Sequence, residues 1–418
     1  MRFTFLNFLF LFLLSEVSAS TSCTDSTVRI LTWNLLNFPS QGNLIADTTA
    51  RNPCYRTVIQ QINPDVIVTQ ENTGASSISI FLNSILNANT NEYSAGTFIN
   101  GYDSDNGIFF RTSCFRFLSN VPIHTALRDV NEFTLVHIST NDTIRIYSCH
   151  LKASGGAVNE ALREAEVDSI RKVTNALPTG TDFIICGDFN FYSSYEPAYQ
   201  NLLHDDSITG GKFVDALAMP GVWNDPDYSP FHTQSPRVSG FGGGATGGMD
   251  DRFDLILFSS SVDEPGRISY KTGSLTPFGN DGMHYQDSIN HPPNAAVSQS
   301  VANALHCASD HLPVYSEFIF SPPIGVNEIA KVVQSIKVFP NPACDDVWVS
   351  IDVTKQSPLE ITIYNAIGKR VKILQQKISS SGNHEIKIAN AGALPQGNYF
   401  LRVASSDGSS SSRMFTVE

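Results

Sequence analysis

The sequence predicts a layered α/β (α+β) domain over residues 20–320, followed by a small antiparallel β-sandwich over residues 335–418. Apolar, β-branched runs recur between residues 27 and 320, with helical patterns between some of them, and the apolar face of a sheet has to be covered by another layer. The chain has 418 residues, more than one hydrophobic core usually organises. Beyond Ser321-Pro322-Pro323 the composition shifts to short alternating strands separated by Gly, Asn and Ser turns, the pattern of an antiparallel sandwich.

Residues 1–19, MRFTFLNFLFLFLLSEVSA, carry one early Arg, a short apolar run and a small-residue end at Val17-Ser18-Ala19. These are the marks of a cleaved signal peptide; the run is too short and too close to the start for a membrane anchor. A lipoprotein reading of Cys23 fails because the preceding STS lacks an apolar lead-in. The mature chain is therefore expected outside the cell or at its surface, without a transmembrane segment and as a monomer.

The expected strands are TVRILTW from Thr27, DVIVTQ from Asp65, GIFFR from Gly107, TIRIYSC from Thr143, DFIICG from Asp182, FDLILF from Phe253 and PVYSEFIF from Pro313. VNEALREAEVDSIRKVTNAL places Leu162, Ala165, Ile170, Val173 and Leu177 near a 3.6-residue period, the signature of a helix packing one face on a sheet. Cys54–Ile62 and Ser77–Leu86 are shorter candidates. The glycine-rich GFGGGATGGMDDR from Gly240, and residues 259–296, read as long surface loops framing a site. A linker is expected over 321–334, and beyond it VWVSIDV, LEITIYN, HEIKIAN and NYFLRVAS lack any cluster of His, Asp and Glu.

All seven Cys follow residue 19. Cys149 and Cys186 sit in apolar runs and read as buried thiols, whereas Cys23, Cys54, Cys114 and Cys307 are available for one or two bridges in an oxidising compartment. The formal net charge of −13 is uneven: residues 20–330 carry 16 Lys and Arg against 32 Asp and Glu, net −16, and residues 331–418 carry 10 against 7, net +3. The first region is thus no general magnet for polyanions, although metal ions can offset its charge locally.

Six apolar runs are flanked by polar residues suited to chemistry: ILTWNLLNF with Asn34, VIVTQEN with Glu71, IYSCHLKAS with His150, IICGDFNF with Asp188 and Asn190, DDRFDLILF with Asp254, and CASDHLPVY with Asp310 and His311. Converging strand ends can gather them at one rim. Glu71 and Asp310, with a carbonyl oxygen from Asn34, are hard ligands suited to Mg²⁺ or Mn²⁺. Two His and no Cys argue against structural zinc. The His side chains can move protons, and an Asp on the second nitrogen of His311 would fix its tautomer, with Asp254 the residue for that role.

The order of these motifs, above all GDFN and SDHLPV, resembles the endonuclease/exonuclease/phosphatase superfamily over roughly residues 27–320. That group includes pancreatic deoxyribonuclease, abasic-site endonucleases, bacterial sphingomyelinases and inositol polyphosphate phosphatases. The resemblance implies a four-layer sandwich, two packed mixed β-sheets flanked by helices, with the site at one rim. It implies a metal site of Asn34, Glu71 and Asp310, with Mg²⁺ or Mn²⁺ the expected cofactor and a structural Ca²⁺ a further candidate. It also implies His311 as the base that activates water, Asp254 orienting it, His150 as the second catalytic His, and Asp188 with Asn190 positioning nucleophile and phosphate. In NGYDSDNGIFFR, Tyr102 is the expected substrate contact, with Asp103 or Asp105 the acidic partner of the second His, and Arg111 is either a phosphate contact or a surface charge at a strand end.

The last 80 or so residues carry VFPNPACDDVWVSI, ITIYNAIGKRV, ALPQGNYFLRV and RMFTV. They resemble the C-terminal sorting domain of type IX secretion cargo, which implies the type IX machinery as a partner. Exported phosphoester chemistry makes an extracellular nuclease acting on DNA or RNA the first expectation, with Lys152, Arg111, Arg237 and Arg252 as groove cations. A sphingomyelinase or phospholipid phosphodiesterase presenting PGVWNDPDYSPF or SLTPFGNDGMHY to a membrane is the alternative, with a phosphomonoesterase third. A cell-surface binding protein is the non-enzymatic reading, which the intact motif set argues against.

Overall fold

The structure is a computed structural model that describes residues 27–39, 48–205, 210–240, 243–321, 332–378, 380–405 and 410–418. The expected signal peptide and Cys23 lie outside the described residues. The chain divides into two compact units, Met1–Pro323 and Ile324–Glu418.

The first unit contains β1 (Thr27–Phe38), β2 (Val66–Asn72), β3 (Tyr93–Ala95), β4 (Asp105–Arg111), β5 (Phe115–Ile123), β6 (Val130–His137) and β7 (Thr143–His150). It continues with β8 (Phe183–Asp188), β9 (Phe213–Val214), β10 (Asp254–Ser259), β11 (Ile268–Tyr270), β12 (Thr276–Pro277) and β13 (Val314–Phe320). One sheet runs β11-β13-β1-β2-β4-β3, with β12 also on β13, and the other runs β5-β6-β7-β8-β10-β9. Both are mixed: β1 and β2 are parallel, as are β7 and β8, and the remaining neighbours are antiparallel. The helices are α1 (Thr48–Ile62), α2 (Ala75–Phe81), α3 (Ala157–Thr174), α4 (Pro197–Leu203), α5 (Ser260–Asp263) and α6 (Gln299–Ala308).

Alternation along β8 explains the four layers. Ile184 and Cys186 point between the sheets, where they join Ile30, Val68, Ile108, Phe133, Ile146, Ile256 and Phe318. Ile185 points the other way, into a cluster with Val167 and Ile170 of α3 and Leu202 of α4. Both faces of the strand are covered, so its sequence is a continuous apolar run rather than an alternating one. The outer face of the first sheet is covered in the same way: Trp33, Ile67 and Phe109 pack with Tyr55 of α1, Phe81 of α2 and Leu305 of α6.

The strands expected from sequence are present; β5 and β6 are additional, as are the short β3, β9, β11 and β12, the last two within the region 259–296 expected to be loop. FRFLSNVPI in β5 carries Arg116 and Pro122 and alternates irregularly in burial, as suits the edge of its sheet. The face of α3 also differs from expectation. Ala165 is exposed and Leu162, Val173 and Leu177 are half-buried, while Arg163, Glu166, Val167, Ile170, Arg171 and Thr174 are buried. The charged pair tolerates burial because Arg163 reaches Glu196 at 2.8 Å and Glu166 accepts from the Lys152 N–H at 2.9 Å.

Cys54 and Cys307 form a disulfide between α1 and α6, and Cys149 and Cys186 are buried thiols. No helix among the described residues is long and apolar enough to cross a membrane. In the second unit, β14 (Val333–Phe339), β15 (Val347–Val353), β16 (Ser357–Asn365), β17 (Arg370–Ile378), β18 (Gly382–Ile388), β19 (Gly397–Ser405) and β20 (Ser410–Val417) form two antiparallel sheets. Their orders are β14-β15-β18 and β17-β16-β19-β20, around a core that includes Val349, Ile361, Leu401 and Phe415.

Candidate active site

Strand register gathers the first three residues. His150 stands opposite Asp188 across β7 and β8, and Asp188 stands opposite Asp254 across β8 and β10. Paired residues share a face of their sheet, and Ile184, Cys186 and Ile256 on the same alternation point toward the first sheet. The row His150, Asp188, Asp254 therefore ends the second sheet on its inner face. Asn34, near the end of β1, meets it from the first sheet: its Nδ2 donates to Asp188 Oδ2 and to Glu71 Oε1, each at 3.0 Å.

Glu71 and its neighbour Gln70 would diverge on a regular strand. Gln70 is buried between the sheets on Thr32 and Ser148. The pairing of β2 slips between Thr69 and Asn72, and Glu71 has φ +60°. That left-handed backbone turns its carboxylate to the rim, where Oε2 accepts from the Asn37 N–H at 2.7 Å. Asp310 and His311 escape alternation differently, because they occupy the connection between α6 and β13 and His311 makes only an isolated bridge to Gln234.

The His311 ring is clamped by Asp254, whose Oδ2 lies 2.7 Å from Nδ1. Nε2 lies 3.6 Å from Asp188 Oδ2 and 2.6 Å from the Gln234 amide nitrogen. Burial works against charge on this ring, but Asp254 and then Asp188 outweigh it, and the His311 pKa is raised well above the ordinary histidine value. His150 is driven the opposite way, well below that value, by burial first and then by the charges of Arg128 and His311. Its Nε2 is 3.6 Å from Asp188 Oδ2 and 4.0 Å from Glu71 Oε1, and its Nδ1 is buried without a hydrogen-bond partner. Burial also pushes Asp188 up to about 7, and His311 opposes the shift. The site thus holds one imidazole disposed to carry a proton and one disposed to stay neutral, the separation that acid/base assignments need.

Backbone contacts join the two motif loops of the second sheet. The Leu151 N–H donates to the Asp188 carbonyl at 2.9 Å, the Asn190 amide to the Leu151 carbonyl at 3.3 Å, and the Asn190 N–H to Asp188 Oδ1 at 3.1 Å. Arg163 reaches the Lys152 and Ser154 carbonyls at 2.8 and 2.9 Å, and Glu196 takes both Arg163 and the Tyr192 N–H.

Several expectations need correction. The Asn34 side-chain Oδ1 accepts from the Leu36 N–H at 3.0 Å, and its amide nitrogen sits between the Glu71 and Asp188 carboxylates. Arg111 lies at the far end of β4 from Asp105, about 20 Å along the strand. There it pairs with Asp65 and Glu92 and packs over Tyr93, so it is a structural cation and no substrate contact. Asp103 pairs with Arg128 at 2.6 Å and Asp105 accepts from the Gly101 N–H, so neither partners His150. Arg252 is buried on Asp215 and Arg237 on the His306 and Cys307 carbonyls, which removes both as groove cations. Tyr102 remains 72 % exposed on the loop before β4.

Sequence reasoning missed Arg128, the Asp103-paired cation between β5 and β6 whose charge acts on His150, and Gln234 against His311. It also missed Tyr195, 71 % exposed on the loop after Asn190. No spacing marks any of them.

Among the described residues no three His, Cys, Asp or Glu side chains are gathered tightly enough to cage a cation. What the rim does offer is the Glu71 and Asp310 carboxylates. Glu71 is raised by burial and next by the Asp310 charge, a repulsion that a cation between them would relieve. Two hard oxygen donors with the remaining positions open fit Mg²⁺ or Mn²⁺, which keep water or substrate in their shells, better than a closed structural site.

Residues 31–311 match the model of the endonuclease/exonuclease/phosphatase family, and residues 337–418 match that of the secretion system C-terminal sorting domain. No curated protein matches the chain significantly. Among solved structures, an endonuclease/exonuclease/phosphatase from Beutenbergia cavernae is 14% identical with a TM-score of 0.42, covering 94% of this chain and 100% of that one. The human Nocturnin catalytic domain is 18% identical with a TM-score of 0.44, covering 71% and 96%. A family protein from Bacteroides thetaiotaomicron is 16% identical with a TM-score of 0.44, covering 71% and 98%. The sorting domain marks the chain for export to the cell surface or beyond. The match over residues 31–311 establishes that the chain belongs to the endonuclease/exonuclease/phosphatase family.

Proposed function

We propose that the chain is a secreted, divalent-cation-dependent phosphodiesterase that hydrolyses nucleic acid, with water as the nucleophile. The observation that carries this reading is the single rim formed by His150, Asp188 and Asp254 in register, with His311 held on Asp254 at 2.7 Å. Membership of a phosphoester-hydrolysing family agrees with it.

His311 takes the proton of the attacking water at Nε2, the only ring nitrogen left by the Asp254 contact, and Asp254 steadies the resulting imidazolium. Asp188 and Asn190, tied together through the Asn190 N–H, position the water and the phosphate. Neutral His150 donates a hydrogen bond to a phosphoryl oxygen without carrying charge there at the outset. Glu71 and Asp310 would hold Mg²⁺ or Mn²⁺, which when bound supplies Lewis-acid charge to a phosphoryl oxygen.

Two observations favour nucleic acid. Tyr102 and Tyr195 stand exposed on the loops before β4 and after β8, and exposed aromatic faces suit base stacking. In the first of the two loops offered to a membrane by the lipid reading, Trp223 is fully buried against Tyr199 and Arg252, while the second exposes Met283. Parallel assay of the full chain with Mg²⁺ on plasmid DNA, RNA, sphingomyelin and a phosphomonoester decides between substrates. Cleavage of DNA or RNA is expected, and lipid turnover without nucleic-acid cleavage rules the nuclease out.

A further inference from the structure

The glycine-rich segment passes directly over the Asp310 carboxylate. The Ala245 N–H donates to Asp310 Oδ2 at 2.6 Å, and Asp310 is 5% exposed. Gly244 has φ +85°, and a Cβ there would lie 2.7 Å from Asp310 Oδ2, 2.8 Å from its Cγ and 2.9 Å from Leu36 Cδ2. Only a residue without a side chain lets the backbone approach so closely.

The segment is itself held on both sides. Ser235 Oγ donates to the Ala245 carbonyl at 2.9 Å, Arg237 reaches the Gly243 carbonyl at 3.3 Å, and the Gly248 N–H donates to the Arg237 carbonyl at 2.9 Å. Arg237 also binds the His306 and Cys307 carbonyls at 2.8 and 3.2 Å. These close α6, which the disulfide to Cys54 joins to α1. The amide that meets Asp310 is thereby set against the helix end that Asp310 follows.

We propose that residues 243–248 are a positioning element for the divalent-cation site: the Ala245 N–H takes Oδ2 of Asp310 and so leaves Oδ1 oriented for the cation. Oδ1 lies on the side of Ser309 Oγ, 3.5 Å away, and Ser309 in turn donates to the Asn34 carbonyl at 2.6 Å. The loop contributes no ligand and acts only through the carboxylate it orients, as partners of metal ligands do. This rests on the reading of Glu71 and Asp310 as cation ligands.

The test is Mn²⁺ affinity of the full chain, measured by calorimetry or Mn²⁺ electron paramagnetic resonance, together with thermal melting. Gly244→Ala is expected to weaken Mn²⁺ binding roughly tenfold or more. Gly273→Ala, outside residues 243–248, is the control: its φ of +76° is as demanding, but a Cβ there meets nothing within 4 Å, and its affinity should stay within about twofold of the original on the same scale. An unchanged affinity in Gly244→Ala, or an equal loss in Gly273→Ala, overturns the proposal. Should Gly244→Ala also melt early, Ser235→Ala decides, because it frees the Ala245 carbonyl without adding an atom; unchanged affinity there overturns the proposal too. A wild type that binds no Mn²⁺ removes the cation reading as well, whereas a binding wild type with an unaffected Gly244→Ala removes only the positioning role.

Discussion

Oδ2 of Asp254 lies 2.7 Å from Nδ1 of His311, although 57 residues separate them in sequence. The contact leaves Nε2 as the working nitrogen, and the carboxylate is the largest favourable influence holding the ring's pKa up. Asp254→Asn should lower kcat roughly 10²–10⁴-fold, the usual worth of a positioned acid/base group. A base must be uncharged to accept a proton, so the rate rises with pH through the raised pKa of His311. Removing the Asp254 charge lowers that pKa, and the rising limb of kcat/KM against pH should move to lower pH; a limb that stays in place contradicts the role.

Arg163 and Glu196, 0% and 3% exposed, connect the loops that follow His150 and Asp188. Glu196→Ala leaves a buried guanidinium without its carboxylate, and loss of one partner of such a pair costs about 3–5 kcal/mol. Chemical denaturation should show that loss, with kcat reduced at temperatures where the variant is still folded. A variant as stable as the wild type would show that the pair is dispensable.

Gly187 precedes Asp188 with φ +144°, and a Cβ there would fall 2.0 Å from the Cys149 carbonyl oxygen of the neighbouring strand. The clashing atoms are all main chain of Cys149, so no flexible side chain can give way. Gly187→Ala should push β7 and β8 apart at the row of site residues, with loss of soluble folded protein; a well-folded, active variant would refute the close approach.

Burial, and next the Asp250 charge, raises the Asp251 carboxyl from 3.8 to about 7, and its Oδ1 is buried without a partner. The folded-state pKa lies above the unfolded one, so the group's contribution to stability is fully present below the unfolded value and is lost as pH rises through the folded value. Asp251→Asn cannot ionise. Its melting temperature relative to wild type should therefore be more favourable at about pH 8 than at about pH 5, and a pH-independent difference would contradict the shift.

Much of the fold was legible because apolar runs such as DFIICG mark strands covered on both faces. The rim was legible because the site residues sit at the ends of those runs. What could not be read lies in tertiary pairing. Arg111 follows an apolar strand as site residues do, yet it stands at the far end of β4, held by Asp65 and Glu92. Arg163 and Glu166 look like the solvent face of a helix until their partners in distant loops are known. Gln234 and Arg128 reach the two His only through loop geometry that has no periodic signature.

The most direct test is Mg²⁺-dependent relaxation of supercoiled plasmid DNA, or degradation of RNA, by the full chain beside its His311→Ala variant and beside wild type with excess chelator. Nucleic-acid cleavage should be present in the wild type, abolished by chelation and lost in His311→Ala while thermal melting shows that variant folded. A fully active His311→Ala, or no cleavage of either nucleic acid by the wild type, would contradict the assignment.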